Sequence, residues 1–220
     1  MLLSTKRPPG AVQLSFTLPA KPRTVVDDPT GSIVYTPDFV RSERAAAWYA
    51  ALRDGIDWDA STRPMYDRVV EVPRLTAHFG PADTLPAALA QARHAVEAHL
   101  AQRFDAFGLN WYRDGDDSVA PHHDQTGELD PGALIALLSL GATRLMRIAS
   151  LALPRRSFAV ALEAGSLLVM SAAVQAHWTH AVPKVRAPVG PRISIALRRR
   201  RTLPSGAPRK AADGEDGTDV

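Results

Sequence analysis

The sequence predicts an α+β fold in which a β-sandwich carries helices on one of its faces. Two observations lead to this prediction: the segments with helical character lie in the first half of the chain, and short strand-like runs fill the second half. Helices followed by strands, without regular alternation, are typical of α+β domains. With 220 residues and 45% hydrophobic content, the chain can build one sizeable core.

Two segments are predicted to be helical. The first runs from Ser42 to about Arg53 with Ser42 as its N-cap, and the second runs from Pro86 to about Phe104 with a proline suited to the first turn. The second segment is rich in Ala, Leu and Gln, which lose little rotamer freedom in a helix. Both helices are expected to support the sandwich that follows.

Six short runs after Gly108 are predicted to be strands, because apolar and β-branched residues in them are bounded by turn residues. These runs are 109–113, 134–140, 144–149, 158–162, 167–171 and 193–197.

The two ends of the chain differ from its middle. Residues 1–30 are rich in proline and basic residues around one apolar stretch, 14–18, and are predicted to be an N-terminal arm lying over the domain. Residues 31–203 are the predicted domain. Residues 204–220 have almost nothing to bury and are predicted to be a disordered tail.

Composition limits the kinds of chemistry. The chain has no cysteine, which excludes disulfides, thiolate metal sites and cysteine nucleophiles, so any metal must be held by His, Asp or Glu. No stretch approaches the roughly 20 apolar residues of a membrane span, and the start lacks a long apolar segment. We therefore expect a cytoplasmic protein with no membrane partner. The net charge of +3 and the basic run 198–201 are compatible with nucleic acid as a partner, although many basic enzymes bind none.

Histidines and an aspartate indicate a metal site. His122 and Asp124 are two positions apart in a segment predicted to be extended, so they project from one face, whereas His123 and Asp124 would point apart. Two histidines and a carboxylate on one face of a metal leave positions open for oxygen and a co-substrate. His177 and His180 are both candidates for the third ligand, and spacing does not choose between them. Ordinary surface histidines are the alternative.

The last predicted strand carries two arginines on one face. Arg192, Ser194 and Arg198 alternate with apolar residues. A strand with one solvated face would show the same pattern. The functional alternative is that a guanidinium in the sandwich interior binds a dicarboxylate through a bidentate pair.

Together these residues resemble the AlkB family of iron(II)- and 2-oxoglutarate-dependent dioxygenases, particularly its compact bacterial members. The resemblance runs in order through blocks that begin at Val72 (VPRLT), Asn110 (NWYRDGDDS), His122 (HHD), Glu128 (ELDPG), Ser139 (SLGATR), His177 (HWTHAVP) and Arg192 (RISIALR). It implies a double-stranded β-helix of jelly-roll type with supporting N-terminal helices.

The resemblance also implies a reaction. The Fe(II) ligands, which form the catalytic centre, would be His122, Asp124 and His180. The resemblance thus favours His180 over His177 as the third ligand. Oxygen and 2-oxoglutarate would be consumed to give succinate and carbon dioxide, and an oxidised N-methyl group would leave as formaldehyde. The implied substrate is an N-alkylated base of the 1-methyladenine or 3-methylcytosine type in DNA, with RNA as a second candidate.

The resemblance assigns co-substrate roles to the residues around this centre. Asn110 and Tyr112 would contact 2-oxoglutarate, Arg192 would pair with its distal carboxylate, and Arg198 would lie near its chelating end. Ser194 stands where several relatives have asparagine and is expected to contact the co-substrate too.

Substrate recognition departs from the family pattern. Many members have an acidic residue where this chain has Thr126, and no aromatic lid hairpin is evident before the Pro86 helix. The candidate substrate contacts are Arg74, His78, Phe79, Thr126 and Trp178, with core packing as the alternative for the aromatic ones.

Two further functions stay open at this point. The same oxygenase chemistry could act on a protein, a lipid or a small metabolite, or the chain could be a non-catalytic jelly-roll binding module. The protein is expected to be a monomer.

Overall fold

The structure is a computed structural model. It describes residues 21–60, 62–65, 68–125, 127, 129–130 and 132–201, and for 62–65 and 68–71 it describes the backbone alone. The apolar stretch 14–18, the predicted tail 204–220 and Thr126 lie outside the described residues.

Two α-helices and thirteen strands are found among the described residues. In chain order they are β1 Arg23–Asp28, β2 Gly31–Thr36, α1 Ser42–Gly55, β3 Thr62–Met65, β4 Arg68–Glu71, β5 Leu75–Phe79, α2 Ala87–Leu100, β6 Ala106–Tyr112, β7 Val119–His122, β8 Leu134–Gly141, β9 Arg144–Ser150, β10 Ser157–Leu162, β11 Leu167–Ser171, β12 Trp178–Val182 and β13 Arg192–Arg198. A short 3₁₀ helix, Ala172–Ala176, precedes β12. None of these helices is long and apolar enough to cross a membrane.

Two antiparallel sheets form the sandwich. The larger has seven strands in the order β1-β2-β11-β8-β13-β6-β5, and the smaller has four in the order β10-β9-β12-β7. Chain neighbours such as β7 and β8, or β12 and β13, lie in different sheets, which is the connectivity of a jelly roll. The hairpin β3–β4 pairs with neither sheet. The predicted α+β class and the jelly-roll architecture are confirmed.

The core has two layers, one on each side of the larger sheet. Helices α1 and α2 pack on its outer face, and the smaller sheet packs on its inner face. Strand β8 shows the division, since Leu138 and Leu140 face the helices while Ile135 and Leu137 face the smaller sheet. This alternation follows from the period of two in a strand that is buried on both faces.

Both predicted helices exist, with differences at their ends. Helix α1 begins at Ser42, but the prediction that Ser42 is the N-cap is wrong, because Arg41 occupies that position and no described side chain caps the helix. Helix α2 ends before the predicted Phe104 because Ala101 adopts a left-handed conformation, φ 51°. The backbone N–H of Phe104 then donates to the Glu97 carboxylate at 2.9 Å.

All six predicted strands are present within a few residues of their predicted bounds. The separation of helices from strands was only partly right, because β1 to β5 also lie in the first half of the chain. Part of the predicted arm is wrong: Arg23–Asp28 forms β1 at the edge of the larger sheet, where Val26 is 3% exposed. These strands are short and carry many polar residues, so the alternation of apolar and polar residues that indicates a strand is not visible in their sequence.

Candidate active site

Three side chains meet at the edge of the smaller sheet formed by β12 and β7. They belong to His122, Asp124 and His180 and are called the trio below. His122 is the last residue of β7, His180 lies directly opposite it in β12, and Asp124 follows in the chain after β7. One potential ligand atom from each lies within 4.8 Å of the others. Asp124 and His180 are buried, whereas His122 is more accessible.

Asp124 does not reach this position in the way that the sequence predicted. Strand β7 ends at His122, so Asp124 is not the next residue of the same strand face. Its carboxylate instead accepts two hydrogen bonds from Arg198, from Nη2 at 2.7 Å and from Nε at 3.2 Å. Its backbone N–H donates to the side-chain oxygen of Gln175 at 2.8 Å. Interactions with distant residues, not strand alternation, hold the carboxylate in place.

The hydrogen bonds and charges around the trio suit a cation. Nδ1 of His122 lies 2.9 Å from the carbonyl oxygen of Ala120, which can only accept, so Nδ1 donates this hydrogen bond and Nε2 is the ring nitrogen left for a metal. Burial and the neighbouring His122 lower the pKa of His180 to about 4. Burial raises the pKa of Asp124, but Arg198 and the two imidazoles outweigh it and bring that pKa below its usual value. At neutral pH the site offers a carboxylate and neutral imidazole nitrogen.

The competing histidines lie elsewhere. His123 and His177 are both exposed, and neither belongs to the cluster formed by the trio. Within the described part of the chain, this is the one cluster of three residues with metal-ligand geometry.

A small inner cavity of about 60 Å³ lies between the two sheets beside the trio. Its lining includes four of the predicted co-substrate residues: Asn110, Tyr112, Ser194 and Arg198. The pairing of β6 with β13 explains why they meet, since Tyr112 lies opposite Arg192 and Asn110 lies opposite Ser194. Directly paired residues of antiparallel strands share one face.

Arg192 lies on this face and is fully buried. Its Nη2 donates to Ser139 Oγ at 2.9 Å, while Nε and Nη1 have no acceptor among the described residues. Burial lowers the pKa of this guanidinium. The guanidinium carbon, Cζ, lies 5.2 Å from the centroid of the Tyr112 ring. Buried N–H groups without an acceptor fit a carboxylate ligand, which could accept from one of them together with the second N–H of Nη2.

Arg144 is a site residue to which the sequence analysis gave no role. It is 2% exposed, and its guanidinium carbon lies 5.4 Å from the centroid of the Tyr112 ring. It donates to the backbone carbonyls of Asp114, Asp117 and Pro183 at 2.7 to 2.9 Å. Arg144 therefore ties the β6–β7 and β12–β13 loops together beside the inner cavity. A lone arginine at a strand start gives no sequence signal for this.

A larger outer cavity of about 550 Å³ opens on the other side of the trio. Asp124 lines it, whereas His122 and His180 line the inner cavity, and Arg198 lines both. The lining is completed by His78, Phe79, Gly80, Pro81, Ala82, Asp83, Ala106, Phe107, Gly108, Gln125, Leu129 and Arg200. The trio thus lies at the junction of a small interior cavity and a large open one.

The predicted substrate contacts are only partly brought together. His78 and Phe79 line the outer cavity, and partial burial with the charges of Arg198 and Arg74 lowers the pKa of His78. Arg74 instead donates from Nε to Asn110 Oδ1 at 2.6 Å. Because arginine has no acceptor, this contact fixes the Asn110 amide with its N–H₂ group directed elsewhere.

Trp178 lines neither cavity, which argues against its predicted role as a substrate contact. It is 1% exposed and packs against Phe158 in the core between the sheets. Its indole N–H donates to the Thr30 hydroxyl at 2.8 Å. Trp178 is a packing residue that joins β12 to the β1–β2 turn.

Replacing Trp178 by phenylalanine is expected to lower the free energy of unfolding by about 1–3 kcal/mol, from the lost hydrogen bond and the smaller ring. Urea unfolding measures this change. The affinity for a methylated oligonucleotide should stay within threefold of the wild type, and a tenfold loss in a folded variant would restore Trp178 as a substrate contact.

Comparison with known proteins agrees with this geometry. Residues 73–201 match the model of the 2OG-Fe(II) oxygenase superfamily. The chain is 30% identical over 203 residues to alpha-ketoglutarate-dependent dioxygenase alkB homolog 3 of Mus musculus, covering 82% of this chain and 71% of that protein. It is 29% identical over 201 residues to the Bos taurus protein of that name, covering 81% and 70%.

A second kind of relative matches a shorter region. The chain is 33% identical over 125 residues to DNA oxidative demethylase ALKBH2 of Homo sapiens, covering 50% of this chain and 45% of that protein. Members of the superfamily use Fe(II), 2-oxoglutarate and oxygen, and the trio supplies a donor set for such a metal. The chain therefore belongs to the 2OG-Fe(II) oxygenase superfamily and is homologous to its AlkB-type dioxygenases.

Proposed function

We propose that the chain oxidatively removes alkyl groups from N-alkylated bases of the 1-methyladenine or 3-methylcytosine type in DNA, with RNA as a second candidate. One observation carries this proposal: the trio lies at the junction of an interior cavity and an open one. An oxygenase that binds a co-substrate at its metal and acts on a second, bulky substrate needs access to that metal from two sides. The names of the relatives point to nucleic acid as the second substrate.

His122, Asp124 and His180 would hold Fe(II). When bound, the metal supplies the oxidising chemistry with oxygen and 2-oxoglutarate, and three protein ligands leave positions for both. The Asp124 carboxylate and the neutral His180 imidazole need no proton transfer before they bind a cation. Arg198 neutralises and orients the Asp124 carboxylate.

The residues around the inner cavity would bind 2-oxoglutarate. Arg192 would bind its distal carboxylate, since Nε and Nη1 of its guanidinium lack an acceptor among the described residues. Asn110, Tyr112 and Ser194 line the inner cavity together with His122 and His180, and Arg192 lies opposite Tyr112 on the same face of the sheet. A buried guanidinium favours a carboxylate ligand, because its planar fork matches the two carboxylate oxygens.

The outer cavity would hold the alkylated base. Its volume lies within the range of ordinary ligand pockets, and it is open to solvent, as a base on a polymer requires. His78 and Phe79 offer rings for stacking, and Arg200 offers a positive charge at the same surface. A base in a duplex would have to leave the stack to reach the trio.

The test is an incubation of the full chain with Fe(II), ascorbate, 2-oxoglutarate and an oligonucleotide that carries 1-methyladenine or 3-methylcytosine. We expect the unmodified base, with formaldehyde and succinate in equal amounts, measured by mass spectrometry. Protein that decarboxylates 2-oxoglutarate yet demethylates neither base in single-stranded or double-stranded DNA or RNA would contradict the proposal.

Oligomeric state and location are separate from this chemistry. A monomer located in the cytoplasm stays a prediction, and size-exclusion chromatography with light scattering would decide the first point.

A further inference from the structure

The backbone at Asp124 has no sheet partner of its own. Strand β7 ends at His122, and residues 123–125 are not paired with a strand in the described part of the chain. Gln125 is exposed on one side of Asp124, and His123 is exposed on the other. A carboxylate on such a segment would be positioned poorly unless something holds the backbone, since two of its own torsions separate it from the main chain.

Gln175 supplies that hold. It is 2% exposed and belongs to the 3₁₀ helix that leads into β12, the strand of His180. Its Oε1 accepts the Asp124 N–H at 2.8 Å, and its Nε2 lies 3.8 Å from the Met170 sulfur. The side chain thus bridges the segment of one trio member and the segment that leads to another.

The 3₁₀ helix is itself anchored. Its first residue, Ala172, donates to the carbonyl of Ala133 at 3.2 Å, and the following His177 donates to Val174 at 3.0 Å. Val174 is 1% exposed in the core between the sheets. Gln175 therefore projects from a fixed base, and its contact with Asp124 restrains Asp124 instead of the reverse.

We propose that Gln175 is a positioning residue of the metal site, which it serves by fixing the backbone of Asp124 relative to His180. This inference rests on the proposed role of the trio as metal ligands. Outer hydrogen-bond partners of metal ligands typically contribute roughly 10- to 100-fold to metal affinity. Gln175 differs from the usual partner because it holds the main chain of the ligand residue and leaves its carboxylate to Arg198.

The test is a titration of the metal-free full chain with Co²⁺, followed by its visible absorption and without turnover. Gln175→Met keeps the length of the side chain and removes the acceptor. Gln175→Glu keeps an acceptor oxygen in either protonation state. The matched control is Gln102→Met, because Gln102 also bonds a backbone, to the N–H and carbonyl of Leu134 at 2.9 and 3.0 Å, and lines neither cavity.

We expect Gln175→Met to bind Co²⁺ about 10- to 100-fold more weakly than the wild type. Gln175→Glu should show no tenfold loss, and Gln102→Met should bind within threefold of the wild type even if it melts at a lower temperature. If Gln175→Met does not fold, Gln175→Asn carries the test, because its shortened side chain cannot reach the Asp124 amide and the same weakening is expected.

Folded Gln175→Met or Gln175→Asn protein with wild-type Co²⁺ affinity would overturn the inference, as would an equal loss in Gln102→Met. His180→Ala separates this failure from a failure of the metal site. If His180→Ala abolishes Co²⁺ binding and the Gln175 variants do not change it, only the role of Gln175 is wrong. If His180→Ala also binds normally, the proposed metal site itself is wrong.

Discussion

Replacing His180 by alanine is expected to lower 2-oxoglutarate-dependent oxidation on the order of 1,000-fold, since loss of an outer partner alone already costs roughly 10- to 100-fold. His180 is buried and neutral, so its removal deletes a ligand without leaving an unpaired charge. The measurement is succinate formation at saturating Fe(II) and 2-oxoglutarate, with Co²⁺ affinity as a second readout. Both should fall together.

The matched control is His177→Ala. His177 is exposed and lies outside the cluster, yet the sequence alone made it an equal candidate for the third ligand. Its variant should retain activity within threefold. A large loss in His177→Ala with normal turnover in His180→Ala would reverse the assignment.

Replacing Arg192 by methionine is expected to raise the KM for 2-oxoglutarate at least about 100-fold. A hydrogen bond to a charged group contributes about 1.5–3 kcal/mol, and a carboxylate can accept two such bonds from one edge of a guanidinium, so the loss is about 3 kcal/mol or more. The metal-free protein should not be destabilised in proportion, because a buried charge without a counter-ion is costly and its removal offsets the lost packing. Steady-state kinetics and thermal unfolding measure the two effects.

Arg192→Lys is the informative comparison. It keeps the charge but loses the planar fork, so it should raise the KM by about 10-fold, between wild type and methionine. A KM that stays at the wild-type value in either folded variant would contradict the role of Arg192 in co-substrate binding. A collapse of the melting temperature with little change in KM would make Arg192 a structural residue instead.

The sequence was a good guide to the arginine face and a poor one to Asp124. Strand alternation is a local rule, and β13 is long enough and central enough to obey it, so Arg192 and Ser194 lie on the predicted face. Asp124 follows the end of β7, where the local rule no longer applies. Its position depends on Gln175 and Arg198, which are distant in sequence and carried no signal of this contact.

The predicted substrate contact of Trp178 lacks structural support for a related reason. An aromatic residue next to a metal-binding motif fits a stacking role and a packing role equally well, and only the partner decides. The partner is Thr30, from a strand pair whose first member the sequence assigned to the arm. Similarly, β1 was not predicted, because its strand structure depends on pairing with β2 and its composition does not indicate a strand.

The position of β7 at the edge of the smaller sheet has a consequence for dynamics. This strand has four residues and pairs with β12 alone among the described strands, so its opening costs little compared with that of an interior strand. His122 and His180 are directly opposed, so a metal that both residues bind would cross-link β7 to β12. Fraying of the strand and release of the metal would then be a single event, so metal affinity and local unfolding free energy would rise and fall together.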